Sequence, residues 1–184
     1  MRSDARRNRE RLLAVAREAF AEQGMAVVLD DVARRAGVGP GTLYRHFPNR
    51  EALFEAVMLD RIESLGGDAA TLLQAEAPGD ALFEFIGRLV EDAAAKADLL
   101  DALRPSGEDA VTTAADGLKR ALGQLLERAQ RGGDVRQDIT TADLMALMTG
   151  VLYALSPRSA QRTSPATAVA VLVDGLRARP PEGS

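Results

Sequence analysis

The chain lacks cysteine and tryptophan altogether, and histidine occurs only once among its 184 residues. Without cysteine there can be no disulfide, no thiolate catalysis and no cysteine-ligated metal, and one histidine offers no spacing typical of a metal site. Aromatic residues make up only 4% of the sequence. A core must therefore consist mainly of Ala, Leu and Val, which favours closely packed helices. The composition predicts an all-α protein that needs no cofactor.

Long apolar runs are also missing. No segment approaches the roughly 20 consecutive apolar residues that cross a bilayer, and the segment Met1–Arg7 has no apolar run typical of a signal peptide. We therefore expect a cytoplasmic protein that does not contact a membrane. The single histidine, His46, has no acid or nucleophile at a defined spacing, so we expect no catalytic residues and no enzyme.

Charge is distributed unevenly along the chain, whose net charge is −4. Residues 1–50 contain ten Arg against six Asp and Glu, whereas residues 51–184 contain thirteen Lys and Arg against twenty-one Asp and Glu. This asymmetry suits a DNA-binding head on an acidic body that repels phosphate. Small charge excesses on short segments are also common, so the charge distribution alone leaves both interpretations open.

Hydrophobic periodicity predicts about nine helices and no strands. Gly132–Asp138 is the clearest loop, and Thr140 and Asp143 behind it have the spacing of a capping box. The fourth helix begins after Asn49, a plausible cap, and is long enough to link two domains. We therefore expect domains at 1–50 and 51–184. The helices are predicted at about 5–23, at two positions within 31–47, at about 50–75, after 80, and at about 97–104, 108–131, 144–155 and from 165.

The segment Asp31–Phe47 is the most informative part of the sequence. It reads as two short helices joined by a tight turn, because Gly37 stands where a helix ends in a left-handed residue and Pro40 suits a first helical position. Leu43 and Phe47 point one way, which leaves the polar side of the second helix free to enter a groove. This arrangement is typical of a helix-turn-helix that binds double-stranded DNA.

With its flanks, this segment resembles the DNA-binding domain of the TetR/AcrR family of bacterial transcriptional regulators. The similarity covers roughly the first 57 residues and includes Arg11–Phe20, Gly24 and Phe47–Phe54. It implies an N-terminal three-helix DNA-binding domain followed by a helical domain for ligand binding and dimerisation. Val28 stands where a capping Thr is common in the family, so Asp30 is expected to cap the second helix instead.

The resemblance also implies which side chains contact DNA. Thr42, Tyr44 and His46 match positions that contact the backbone, and Arg50 matches a position that commonly holds a phosphate. Arg45 is the long donor on the second helix and could bind guanine in a bidentate manner. The remaining candidates are Arg34, a secondary base-reading residue, and Gly39, Pro40 and Gly41, which replace side chains that other members use near DNA.

Further arginines precede the motif, at positions 2, 6, 7 and 9. They could lie along DNA phosphates or enter a minor groove, and they could equally form a solvated tail. The sequence leaves both interpretations open.

The last two predicted helices are more apolar than one buried stripe requires. They predict a homodimer joined through a four-helix interface, in agreement with the family resemblance; the alternative is that they form the middle of a single core. The resemblance further implies a cavity for an unknown small-molecule effector. Phe83, Met145 and Met148 are candidate wall residues, although each is also a plausible core residue.

The sequence thus predicts a sequence-specific DNA-binding regulator, most simply a repressor that a small molecule releases from its operator. Activation of transcription, or regulation without a ligand, would use the same fold. A helical enzyme or small-molecule-binding protein with an incidental helix-turn-helix is a further alternative, and it would leave Thr42, Tyr44 and Arg50 unexplained.

Overall fold

A computed structural model describes residues 2–94, 109–155 and 163–178 of the chain. All its named elements are helical, which confirms the predicted all-α class, and none of these helices combines the length and apolar character needed to cross a membrane. The helix expected at about 97–104 and the tail after Arg179 lie outside the described residues. The α-helices are α1 (Arg2–Gln23), α2 (Leu29–Arg35), α3 (Pro40–His46), α4 (Arg50–Leu72), α5 (Pro78–Ala94), α6 (Asp109–Gly132), α7 (Thr141–Ala154) and α8 (Pro165–Leu176), with a 3₁₀ turn at Gly24–Ala26.

The chain divides into two compact units. The described part of the first unit comprises residues 2–62 and 109–112, and that of the second comprises 63–94, 113–155 and 163–178. The division falls inside α4, between Ile62 and Glu63.

The first unit has its own core, formed by α1, α2, α3 and the first turns of α4. The rings of Phe20 on α1 and Phe54 on α4 meet edge to face, with centroids 5.2 Å apart, an arrangement that adds to the apolar area they bury. α2 packs against both α1 and α3. The short α3 therefore depends on tertiary contacts, since an isolated helix of seven residues is not stable. The buried residues are Leu12, Leu13, Ala16, Ala19, Phe20, Val27, Val32, Ala33, Ala36, Leu43, Phe47, Leu53, Phe54 and Val57.

Local sequence signals set three of the helix ends in this unit. Gly37 has φ +66° and Pro40 is the first residue of α3, both as predicted. Asn49 caps α4, because its side-chain oxygen accepts a hydrogen bond from the backbone N–H of Ala52 at 2.8 Å. The prediction for Asp30 is wrong: the N-cap of α2 is Val28, no side chain caps that end, and Asp30 lies inside the first turn.

The second unit is built around α5, which packs against α7 and α8. Phe85 and Leu82 on α5 are completely buried. α4 ends at Leu72, earlier than the expected position of about 75, because the amides of Gln74 and Ala75 bond to carbonyls only three residues back and so tighten the turn. The buried residues are Ala69, Leu72, Ala81, Leu82, Phe85, Ile86, Val90, Leu122, Leu125, Leu126, Ala129, Val135, Leu144, Met148, Leu172 and Leu176.

The loop between α6 and α7 is tied to the end of α8. The amide of Arg136 donates to the carbonyl of Leu176, and the amide of Ala178 donates to that of Asp134, each at 3.0 Å. Gly133 allows the turn with φ +81°. The predicted loop is therefore ordered by backbone pairing across the end of the second unit.

The predicted capping box at the start of α7 is confirmed. The backbone N–H of Asp143 donates to the hydroxyl of Thr140 at 3.2 Å, and the backbone N–H of Thr140 donates to the Asp143 carboxylate at 2.8 Å. The Thr140 hydroxyl also donates to the Asp143 carboxylate, at 2.6 Å, and this bond, followed by the one from the Thr140 backbone, lowers the pKa of Asp143. Aspartate is short for this role, but the bonds satisfy otherwise unpaired donors at the helix start.

Candidate nucleic-acid interface

Two buried side chains anchor α3, and the rest of its surface is open. Leu43 is fully buried and Phe47 is 3% exposed, so both hold the helix against the first unit. The amide of Phe47 closes the helix by donating to the carbonyl of Leu43 at 2.8 Å. Tyr44 and Arg45 lie on the exposed side, with Thr42 and His46 half-buried beside them. The structure therefore brings the four predicted polar contacts of α3 onto one short helix.

Tyr44 is linked to α2 through Asp30, a contact that sequence reasoning missed. Desolvation raises the pKa of the tyrosine hydroxyl, and the charge of Asp30 and its hydrogen bond with that hydroxyl raise it further. A tyrosine hydroxyl is protonated at neutral pH in any case, so this one is available as a donor. Since 45% of the Tyr44 surface is exposed, the same hydroxyl can donate to a phosphate oxygen instead.

Arg45 folds back along its own helix. Its Nε donates to the carbonyl of Gly41 at 3.0 Å, and a terminal nitrogen lies 3.5 Å from the Thr42 hydroxyl. Gly39 and Gly41 are exposed, and a Cβ added to either would meet no other atom within 4 Å. The first turn of α3 thus presents bare backbone beside exposed Pro40, so a DNA groove could approach the main chain closely.

The two other predicted arginines flank α3 differently. Arg34, on α2, is highly exposed and donates to Asp31 at 2.7 Å. Arg50, at the start of α4, is half-exposed and lies 3.6 Å from the carboxylate of Glu51, while its Nε is buried without a hydrogen-bond partner. Both arginines retain donors for phosphate or base oxygens.

The aromatic end of α3 contains a second contact that the sequence did not predict. The guanidinium of Arg9 lies over the Phe47 ring, 5.6 Å from its centroid, and the His46 ring centroid is 6.1 Å from that of Phe47. Arg9 and Phe47 lie far apart in the chain, so no local pattern could have indicated their contact. Within the described ranges, no group of three or more His, Asp or Glu side chains is arranged to hold a metal ion.

The three predicted effector-contacting residues lie in the second unit. Met148 belongs to the buried core at 5% exposure, whereas Phe83 and Met145 are partly buried and pack against that core. The guanidinium of Arg177 covers the Phe83 ring at 4.8 Å from its centroid. All three residues therefore contribute to one apolar cluster.

An apolar surface runs along α7 and α8 of the second unit. Leu147, Tyr153 and Val171 are 50%, 69% and 68% exposed, which is unusual for large apolar side chains on neighbouring helices. A groove of about 520 Å³ passes between the two helices and is lined in part by Leu147, Val151, Val171 and Gly175. We call this surface the α7–α8 face.

Comparisons with known proteins agree with this geometry. Residues 12–57 match the model of the tetR family of bacterial regulatory proteins. Residues 77–178 match that of the C-terminal domain of SbtR-like transcriptional regulators. The chain is 27% identical over 160 residues to the HTH-type transcriptional regulator UidR of Escherichia coli, covering 83% of this chain and 82% of that protein.

Solved structures of TetR regulators also resemble the chain over most of its length. The chain is similar to a TetR transcription regulatory protein from Mycobacterium vanbaalenii, with a TM-score of 0.77 and 44% identity, over 96% of this chain and 98% of that one. It is also similar to a TetR transcriptional regulator from Streptomyces coelicolor, with a TM-score of 0.75 and 36% identity, over 92% and 98% of the two chains.

Proposed function

The chain belongs to the TetR family of bacterial transcriptional regulators, and we propose that it is a repressor that leaves its operator when a small molecule binds. In this proposal, residues 1–50 read DNA, whereas residues 51–184 bind the effector and dimerise. The protein acts in the cytoplasm, where its operator is, and it works by binding rather than by catalysis.

One observation carries the DNA-binding part of the proposal. The buried side chains of Leu43 and Phe47 anchor α3 to the core of the first unit. The helix presents Tyr44 and Arg45 together on its exposed side. Burial of two anchors makes the helix rigid, which a base-reading element requires. Arg45 supplies the bidentate donor for guanine, while Thr42 and the neighbouring polar residues set the register through phosphate contacts.

We propose that two chains associate through the α7–α8 face. Exposed Leu147, Tyr153 and Val171 would be covered in such a pair, and the exposed glycines Gly150 and Gly175 let backbones approach. A symmetric dimer presents two recognition helices, which fit half-sites about 34 Å apart on one side of DNA. The operator is therefore a palindrome.

The effector site is proposed beside Phe83 and Met145, which are partly buried against the core of the second unit. Met148 is more deeply buried, so it would meet a ligand only after the core adjusts; methionine suits that adjustment. The effector lowers DNA affinity only as far as it prefers the conformation that does not bind DNA. By linkage, operator DNA must weaken effector binding by the same factor.

The experiment that tests this function is selection of genomic DNA. Purified protein is incubated with fragmented DNA of the organism that encodes it, near physiological salt, and the retained fragments are sequenced. Enrichment of one palindromic sequence supports a sequence-specific dimer, and the position of that site relative to a promoter separates repression from activation. Retention without a common sequence, lost as salt rises, would contradict the proposal, because it leaves only nonspecific phosphate attraction.

A further inference from the structure

The arginines that precede the helix-turn-helix differ in their surroundings. Arg6 donates to Glu10 at 2.9 Å, and Arg7 forms an ion pair with Asp4. Among the described residues, Arg9 has no carboxylate partner, and its guanidinium lies over the ring of Phe47. The sequence alone gives no reason to assign different roles to these arginines, but their contacts in the structure distinguish Arg9 from Arg6 and Arg7.

We propose that Arg9 is a DNA-phosphate contact outside the helix-turn-helix, and that neighbouring Arg6 contributes little to binding. The proposal rests on the DNA-binding function proposed above and adds a residue of α1 to it. Residue 9 also lies before the segment 12–57 that matches the tetR family model.

The position of Arg9 follows from what holds Phe47. The Phe47 ring is 3% exposed, and its amide ends α3 by bonding to Leu43, so the ring is a fixed surface at the C-terminal end of the recognition helix. The Arg9 guanidinium over that ring is therefore held at the same end of α3. When a recognition helix enters the major groove, phosphates flank it, and Arg9 is placed where one strand would pass.

Charge and entropy both favour Arg9 over Arg6 as a phosphate contact. The Arg6 charge is already balanced by Glu10, so a phosphate must compete with that carboxylate. Arg9 has a ring as its neighbour, which leaves its N–H groups free for phosphate and restricts the side chain before DNA arrives. Each phosphate neutralised contributes about 0.9 to the slope of log K against log salt concentration.

The test compares Arg9→Met with Arg6→Met, which remove the same charge from exposed positions on the same helix. Affinity for the selected operator is measured over a range of salt concentrations. Arg9→Met should weaken binding about tenfold and make the slope shallower by about 2 per dimer, one for each protomer. Arg6→Met should stay within about twofold of the unchanged protein. Equal losses in the two variants would overturn the proposal, since they would indicate a general charge effect.

A purely structural role for Arg9 gives a different pattern. Methionine still covers Phe47, so Arg9→Met should unfold at nearly the same denaturant concentration, and Arg9→Lys should recover most of the affinity because it restores the charge. If Arg9→Met changes the selected base sequence, or Arg9→Lys binds as weakly as Arg9→Met, then Arg9 positions α3 and the phosphate contact is wrong. If the unchanged protein enriches no sequence, the proposed function itself fails, whatever these variants do.

Discussion

The carboxylate of Asp134 accepts a hydrogen bond from the backbone N–H of Gly79 at 3.0 Å, which joins the α6–α7 loop to the first turn of α5. The approach leaves no space for a side chain at position 79, because a Cβ there would lie 2.5 Å from the Cβ of Asp134. The hydrogen bond between Gly79 and Asp134 therefore requires glycine at position 79.

Gly79→Ala should destabilise the protein by about 1–3 kcal/mol, since overpacking displaces the loop and outweighs the helix propensity of alanine. The free energy of unfolding in urea measures the effect. Gly67→Ala is the matched control: it also lies in a helix, but its Cβ would meet no atom within 4 Å, so this change should stabilise by about 0.5–1 kcal/mol. Equal effects of both changes would contradict the steric argument.

Acid should weaken the α7 capping box. Hydrogen bonds from Thr140 lower the pKa of Asp143 in the folded protein, so its ionised form contributes stability at neutral pH, and that contribution is lost as the pH falls through the folded-state pKa. Asp143→Asn should therefore be less stable than the unchanged protein near pH 7, and the difference should be smaller near pH 3, below the ordinary aspartate pKa. Denaturant unfolding at the two pH values measures the difference, and a gap that persists undiminished in acid would show that the charge is not responsible.

Local signals in the sequence predicted several helix ends, because each of these involves only a few neighbouring residues. Gly37, Pro40 and the Thr140–Asp143 pair all have backbone geometry that follows from residue type. Contacts between residues far apart in the chain, such as Arg9 with Phe47, could not be predicted, because they depend on how helices pack. The sequence therefore identified the surface of α3, and only the fold distinguished Arg9 from its neighbours.

A charge on the α7–α8 face should prevent dimerisation. Val171 is 68% exposed and would be buried in the proposed dimer, where an unpaired carboxylate costs about 3–5 kcal/mol. Val171→Glu should therefore sediment as a monomer at concentrations where the unchanged protein is a dimer. Val28→Glu places the same charge at another exposed valine, 54% exposed and in the first unit, and should remain dimeric. A dimeric Val171→Glu protein would exclude this face as the interface.

Arg45 and Tyr44 are neighbours on α3, yet their removal should have different consequences. Arg45 is the donor that can bind guanine O6 and N7 together, so Arg45→Ala should alter the base preference at one position of each half-site and cost about 1–3 kcal/mol for the preferred sequence. Tyr44 offers one hydroxyl, held by Asp30 in the free protein. Tyr44→Phe should therefore weaken all sequences alike and leave the selected motif unchanged.

Repeating the DNA selection with each variant separates these two effects, with Arg131→Ala as the control. Arg131 is exposed in the second unit, and among the described residues it bonds only to a carbonyl of its own helix, so its removal subtracts one positive charge without touching α3. The Arg131→Ala variant should select the same DNA motif as the unchanged protein, and its affinity for DNA should fall by less than about twofold. An unaltered motif with Arg45→Ala would show that Arg45 does not read bases. Specificity would then have to come from the shape of the DNA against the bare backbone of Gly39 and Gly41, since sequence-dependent groove width can discriminate between sites without any base contact.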